Sequence, residues 1–308
     1  MKNNQWGFKP LLKLFVTGFS MGSADIVPGV SGGTIALLFG VYEKLIESIK
    51  VITGQVIRLV FKGKFKEAWQ TAPIAFLLPL GVGLLTAIFA MSSLLQSLLR
   101  DYPVLTWSVF FGLVVASTVI VSQKIKKWQA GTLGLMVVAS ILTYLIVGSI
   151  PIETPATPLA FFLSGVVGIC AMILPGVSGS FLLILLGKYA QVLEAVTAFD
   201  IVTLAIFALG AGVGIATFSR VLSYLFGKHH NQLVAVLTGM LIGSLRKIWP
   251  WKEVVLERLN SHGELMPVVE KNMLPILNGQ LFLAILLGVG AFMLVWKLSQ
   301  VKSQAHQN

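Results

Sequence analysis

The stretch Asp25–Tyr42, DIVPGVSGGTIALLFGVY, organises this chain, because its central letters PGVSG return unchanged at Pro175–Gly179. Each copy lies inside a long apolar run. A proline, adjacent glycines and small hydroxyl residues interrupt a helix rather than extend it. The sequence therefore predicts two apolar segments whose helical backbone is broken at the same motif.

The composition is that of an integral membrane protein. Of its 308 residues, 56% are hydrophobic and only 11% are charged, with a mean hydropathy of +0.87, whereas soluble domains carry about 25% charged residues. No polar stretch is long enough for a soluble catalytic domain. The net charge of +11 comes from residues in loops beside apolar runs, where cytoplasmic placement and anionic lipid account for it, so nucleic acid is not an expected partner.

Loop charges predict the orientation of the first broken segment. Its two arms, within residues 11–49, are each shorter than the ~20 residues that cross a bilayer. The loop that follows, 43–71, carries six lysine or arginine residues and is expected in the cytoplasm together with the basic N-terminus. The segment is therefore predicted to be a re-entrant hairpin. The alternative, in which both broken segments cross the membrane, puts the lysine-rich loops 43–71 and 124–127 outside.

The resulting prediction is an all-α polytopic membrane protein in two halves, with both termini cytoplasmic and a polar loop of mixed charge at 250–271. Each half contains a re-entrant helical hairpin and three transmembrane helices. The first half, 1–150, has the hairpin 11–49 and helices 73–97, 103–123 and 130–150; the second, 151–308, has the hairpin 158–195 and helices 201–226, 231–249 and 275–296.

The two halves are predicted to be an internal duplication. Residues 14–46 align with 161–193 without a gap at 11 of 33 positions, and each match lies 147 residues after its partner. Since each half has an odd number of crossings, the halves have opposite orientations. This is the inverted repeat of many secondary transporters, whose substrate site lies at the interface of the repeats.

The broken segments suggest a ligand type. Non-helical backbone in hydrocarbon is tolerated only where protein or a water-filled cavity surrounds it. A helix restarting after the motif presents unpaired N–H groups and the positive end of its dipole, which favour phosphate or another anion. The alternative is that the small residues only allow tight helix packing. The candidate substrate-binding residues are Ser31, Gly32, Gly33 and Thr34 in the first copy and Ser178, Gly179 and Ser180 in the second.

Three charged residues inside the apolar segments are further candidates. Asp25 precedes the first motif and is replaced by Met172 in the second, so we expect it to carry a coupling proton or to pair with an arginine. Arg220 and Arg246 are candidate phosphate ligands, because a guanidinium binds phosphate with two donors. Either arginine instead reaches a membrane interface if its side chain snorkels.

No cofactor or metal site is expected. His229 and His230 are adjacent in a loop, and His262 and His306 are isolated. The sequence contains neither a Walker motif nor a dinucleotide-binding fingerprint.

The stretches GFSMGSADIVPGVSGGTIALLFGVYEKLI at 18–46 and AMILPGVSGSFLLILLGKY at 171–189 resemble the polyprenyl-phosphate transporter (PopT) family of bacterial membrane proteins. The resemblance implies a plasma-membrane flippase, not an enzyme. Its substrate would be the lipid carrier undecaprenyl phosphate, returned from the outer to the inner leaflet for cell-envelope synthesis.

Two alternative functions remain at this point. The integral undecaprenyl pyrophosphate phosphatase also has an inverted repeat with re-entrant hairpins, and its motif begins PGxSRS. This chain has glycine where that motif has arginine, and Glu43 and Glu47, which have the spacing of an E-x-x-x-E motif, fall at the end of the hairpin. A transporter of small soluble anions is the second alternative. The oligomeric state is not indicated.

Overall fold

The computed structural model describes residues 7–27, 29–152, 154–259 and 265–304, and these are mainly helical. Pro28, within the first motif, and the two termini, which are predicted to be cytoplasmic, lie outside the described residues. The helices are α1 Phe8–Asp25, α2 Gly32–Leu38, α3 Tyr42–Val51, α4 Ile57–Phe61, α5 Phe65–Thr71, α6 Ile74–Asp101, α7 Pro103–Ser122, α8 Ala130–Val147, α9 Pro158–Ile173, α10 Gly179–Leu185, α11 Tyr189–Thr197, α12 Ile201–Lys228, α13 His230–Ser244 and α14 Gly279–Gln304. A π-helical turn, Ile52–Val56, joins α3 to α4.

The prediction of a multi-pass membrane protein is confirmed. Five of the described helices are long and apolar enough to cross a bilayer: α6, α7, α8, α12 and α14. Helices α10 and α11 pass the same test only as a pair, and they are bent by 102°. The expected crossing at 231–249 is instead the 15-residue helix α13, which at 1.5 Å per residue spans about 22 Å, less than the ~30 Å of hydrocarbon.

The all-helical prediction is wrong at one place. The loop predicted at 250–271 contains a β-hairpin of two strands, β1 Lys252–Leu259 and β2 Leu265–Asn272, paired antiparallel from Lys252 opposite Asn272 to Leu259 opposite Leu265. Adjacent valines in both strands favour extended backbone. The hairpin is attached to the end of α13, because the Trp249 indole N–H donates to the Met273 carbonyl (2.9 Å).

Glycines let the long helices pack closely in pairs. A Cβ at Gly18 in α1 would overlap the Leu80 carbonyl of α6, and a Cβ at Gly165 in α9 would overlap the Phe207 carbonyl of α12. Helix α7 packs on α14 in the same manner through Gly112, and α13 packs on α8 through Gly239. Such small residues are the usual means by which membrane helices approach each other.

The two broken segments have the same local structure. Helices α2 and α10 both begin one residue after the serine of the motif, and α3 and α11 both begin at the matched tyrosines. Left-handed backbone recurs at the matched glycines, with φ of 87° and 81° at Gly29 and Gly176 and of 63° and 64° at Gly40 and Gly187. An L-residue rarely adopts these angles, so the glycines of the motif specify the turns in both copies.

Candidate functional site

The tips of the two broken segments contact each other. The Ser31 hydroxyl donates to the Leu174 carbonyl (3.2 Å), and the Gly176 N–H donates to the Thr34 hydroxyl (3.2 Å). The Tyr42 hydroxyl donates to the Ile173 carbonyl (3.1 Å). The candidates that the sequence places in two separate tips thus lie at one junction.

The N-terminus of α2 is already capped by the chain itself. The Gly32 N–H donates to the Asp25 carboxylate (2.6 Å), and the Gly33 N–H donates to the Ser31 hydroxyl (3.1 Å). All four first-tip candidates are buried, with Ser31 and Thr34 at most 2% exposed. Asp25 therefore occupies the position that the sequence analysis assigns to a bound anion, where the dipole of α2 favours negative charge.

The second tip differs from the first at this point. Met172 takes the place of Asp25 and packs against Gly179, and no side chain caps α10. The hydroxyl oxygens of Ser178 and Ser180 lie 2.8 Å apart, with Ser178 buried and Ser180 exposed. The backbone turns are the same in both copies, but the side-chain cap at the start of the helix after the motif is not: α2 has one and α10 does not.

Arg220 makes its hydrogen bonds away from the tips. It is exposed on α12, and its guanidinium donates to the carbonyls of Ala216 and Thr53. Its second nitrogen lies beside Gly54, in the π-helical turn. The structure therefore joins Arg220 to the segment after the first hairpin.

Arg246 lies close to the second tip, at the end of α13. Its guanidinium donates to the Tyr144 carbonyl (3.0 Å) and lies 4.4 Å from the centroid of the Tyr144 ring, a cation–π distance. It lines a small open cavity between the β-hairpin and the ends of α8, α10 and α13. We call this cavity, lined by Arg246, Lys247, Lys252, Glu270 and Phe181, the basic cavity.

Three of the residues that line the basic cavity form an ion cluster. One oxygen of Glu270 lies 2.9 Å from the Lys247 ammonium and 3.3 Å from that of Lys252. These side chains are poorly exposed, at 14% for Lys247, 6% for Lys252 and 15% for Glu270. The Lys252 ammonium also lies 3.8 Å from the centroid of the Trp107 ring.

The low exposure affects the pKa values of Lys252 and Glu270. Burial lowers the pKa of Lys252 to about 8, an effect that Glu270 opposes and the charge of Lys247 reinforces. Burial alone would raise the pKa of Glu270, but the two ammonium groups hold it below its usual value. Glu270 is therefore held in its charged form between the two lysine side chains.

The basic cavity touches both tips. The Lys247 stem packs on Gly29 of the first tip, where a Cβ would lie 2.6 Å from Lys247 Cγ. The Lys247 ammonium lies 5.1 Å from the centroid of the Phe181 ring, which belongs to α10 of the second tip. Any anion held in the cavity is thus next to the junction of the two broken segments.

Sequence reasoning missed Lys247, Lys252 and Glu270 as site residues. The sequence gives one indication that Lys247 belongs to the site, because Lys247 directly follows the candidate ligand Arg246. Lys252 and Glu270 are far apart in the stretch that the sequence predicts to be a loop, and they meet because the antiparallel register sets Lys252 opposite Asn272. A prediction of strands β1 and β2 in their antiparallel register is what would bring Lys252 and Glu270 together. Among the described residues, no group of His, Cys, Asp or Glu side chains is arranged to hold a metal ion.

Comparison with known proteins gives a consistent result. A family model described as undecaprenyl phosphate translocase-like matches residues 21–266. The polyprenyl-phosphate transporter of Vibrio cholerae is 38% identical over 264 residues, covering 86% of each chain. The polyprenyl-phosphate transporter of Staphylococcus aureus is 31% identical over 254 residues, covering 76% of this chain and 84% of the relative. No solved structure matches this chain.

Proposed function

Since the chain belongs to the undecaprenyl phosphate translocase-like family, we propose that it is a flippase for polyprenyl phosphate. It returns undecaprenyl phosphate from the outer to the inner leaflet of the bacterial plasma membrane, where the lipid carrier is reused for cell-envelope polymers. Its substrate is a lipid with a single anionic headgroup, and it does not hydrolyse that headgroup.

The direct contact between the two broken segments carries this proposal. The bonds from Ser31 to Leu174 and from Gly176 to Thr34 join two irregular stretches of backbone inside a helical membrane protein. Such backbone is stable only where protein or water surrounds it. A junction of this kind suits a polar headgroup that passes between the segments while the prenyl tail stays in lipid.

The pairing of the helices supports an inverted repeat as the moving framework. Helix α1 packs on α6, and its counterpart α9 packs on α12; between the halves, α7 packs on α14 and α8 on α13. We therefore propose that the hairpin and three helices at 1–150 form one repeat and that those at 151–308 form its inverted partner. Rocking of one half against the other would expose the headgroup to each face in turn.

In this mechanism the tips and arginines replace water around the phosphate. Moving an unassisted phosphate through hydrocarbon would cost many kcal/mol. Arg246 binds the headgroup beside the tips, and Arg220 receives it near the cytoplasmic segment after the first hairpin. Asp25 takes up the coupling proton, which releases the N-terminus of α2. The substrate-binding residues at the junction are Ser31, Gly32, Gly33, Thr34, Ser178, Gly179 and Ser180.

Transfer in liposomes tests the function directly. We expect purified protein in vesicles with undecaprenyl phosphate to move the lipid between leaflets without releasing inorganic phosphate, measured as the fraction of headgroups open to an added soluble phosphatase. Arg246→Ala and Arg220→Ala should each slow transfer at least tenfold, whereas Arg58→Ala, at an exposed site on α4, should not. Phosphate release by the protein itself would point to a phosphatase, and movement of soluble anions alone to an ion carrier; either result refutes the proposal.

A further inference from the structure

We propose, on the basis of this function, that the basic cavity is the binding site for the phosphate monoester headgroup at the end of the molecule where the β-hairpin lies. In the chain, the β-hairpin directly precedes α14. Lys247 and Lys252 are then phosphate ligands together with Arg246, and Glu270 holds the two lysines in place.

The charge of the cavity matches a phosphate monoester. Arg246, Lys247 and Lys252 supply three positive charges and Glu270 one negative charge, which leaves two positive charges. A phosphate monoester carries about −1.5 to −2 at pH 7. Since Lys247, Lys252 and Glu270 are poorly exposed, their interaction with a bound anion is screened less than at the surface.

The donors of the cavity are not exhausted by its internal bonds. An ammonium has three N–H donors and a guanidinium has five. Glu270 accepts from each ammonium, and the Tyr144 carbonyl accepts from Arg246. The remaining donors can reach phosphate oxygens without breaking the cluster, because all three cations line the same cavity.

Glu270 explains how two lysines stay together before a ligand arrives. A single carboxylate oxygen accepts from both ammonium groups, so their mutual repulsion is offset in the empty cavity. The Trp107 ring under Lys252 and the Phe181 ring beside Lys247 add cation–π attraction. The ligand set is thus preorganised, which lowers the cost of binding.

The rim of the cavity favours a lipid over free phosphate. Arg246 packs on Tyr144, whose side chain is 51% exposed on the spanning helix α8. Just beyond that helix, Ile150 and Ile152 are also exposed. A headgroup in the cavity would therefore leave its ester oxygen near an apolar surface that a prenyl tail can follow.

Binding of farnesyl monophosphate to the full-length protein in detergent tests the site. Trp107 next to Lys252 supplies an intrinsic fluorescence signal. We expect Lys252→Met and Lys247→Met to weaken binding at least tenfold, measured by calorimetry for the variants, while Lys271→Met, exposed on the same hairpin, binds like the unaltered protein. Unchanged affinity in both cavity variants overturns the proposal.

A second variant separates binding from folding. Glu270→Gln raises the net charge of the cavity, so it should shift the preference from farnesyl monophosphate towards farnesyl diphosphate at least fivefold. If Glu270 has a purely structural role, the variant should bind both ligands equally more weakly, and this result would refute the assignment.

Inorganic phosphate should bind at least tenfold more weakly than farnesyl monophosphate. Equal affinity would make this a site for free anions and would refute the proposal of a lipid headgroup.

The liposome assay keeps the two proposals distinct. Full leaflet transfer by both lysine variants would reject the basic cavity while the flippase function stands. Selective monophosphate binding without any transfer by the unaltered protein would reject the function while the binding site stands.

Discussion

Asp25 shows how one residue changes the interpretation of a motif. The sequence predicts that both tips offer unpaired N–H groups to an anion. In the structure, the Asp25 carboxylate caps α2 through Gly32, and only the second copy, with Met172 at the matched position, has no side-chain cap. The first tip therefore contains its own anion, the Asp25 carboxylate.

Replacing Asp25 tests whether this charge couples transport to protons. Asp25→Asn keeps an oxygen that accepts from the Gly32 N–H but cannot take up a proton. We therefore expect near-normal melting temperature in detergent but loss of the response of lipid transfer to an imposed pH gradient. The measurement is the initial transfer rate in liposomes with and without the gradient.

Asp25→Ala is the matched control for the structural role. It removes the charged hydrogen bond to Gly32, so it should lower stability by about 1.5–3 kcal/mol. If Asp25→Asn retains transfer that still responds to the gradient, Asp25 is only a helix cap and the coupling proton is carried elsewhere.

At the scale of single residues, the motif was predictable and the ion cluster was not. The glycines and serines of the tips repeat in sequence, so their special backbone and their meeting point can be inferred from the duplication. Lys252 and Glu270 have no repeat and no motif. Their contact depends on strand register and on the way that the hairpin folds over the end of α13, neither of which is encoded in local spacing.

At the scale of helices, close contact at glycines should control stability. A Cβ at Gly83 in α6 would overlap the Phe15 carbonyl of α1, whereas Gly81, two residues earlier, has no neighbour within 4 Å of such a Cβ. We therefore expect Gly83→Ala to lower the melting temperature by roughly 5 °C or more through overpacking. Gly81→Ala should leave it within about 2 °C, because alanine also favours the helix.

Thermal unfolding in one detergent compares the two variants directly. Equal melting temperatures would show that α1 and α6 are not held at this close distance. The same pairing recurs at Gly210 in α12, where a Cβ would overlap the Phe162 carbonyl of α9, so Gly210→Ala should behave like Gly83→Ala and not like Gly81→Ala.

The sequence predicts most accurately the helices that are defined by a long apolar run. The helices at 74–101, 103–122, 130–147 and 201–228 agree with expectation within a few residues. Helix α13 ends at Ser244, and Lys247 after it contacts Gly29 of the first tip and Glu270 of the β-hairpin. The sequence predicts a loop in place of the β-hairpin, because charged residues interrupt its short runs of strand-forming residues.

At the scale of the whole molecule, charge bias predicts how the halves are oriented in the membrane, and an experiment can check this prediction. With re-entrant hairpins, the loop containing Lys62 and the turn containing Lys126 are cytoplasmic, whereas Asp101 and Glu253 face outside. If both hairpins crossed the membrane, Lys62, Lys126 and Asp101 would exchange sides, but Glu253 would stay outside.

Single cysteines in a Cys170→Ser background distinguish these topologies with a membrane-impermeant maleimide on intact cells. We expect Asp101→Cys and Glu253→Cys to be labelled in intact cells. Lys62→Cys and Lys126→Cys should be labelled only after permeabilisation, because basic loops remain cytoplasmic. Glu253→Cys is labelled in either topology and serves as the positive control. Labelling of Lys62→Cys in intact cells, with Asp101→Cys protected, would make both PGVSG segments true crossings. The two tips would then remain in contact, but the inverted relation of the halves and the rocking mechanism built on it would have to be abandoned.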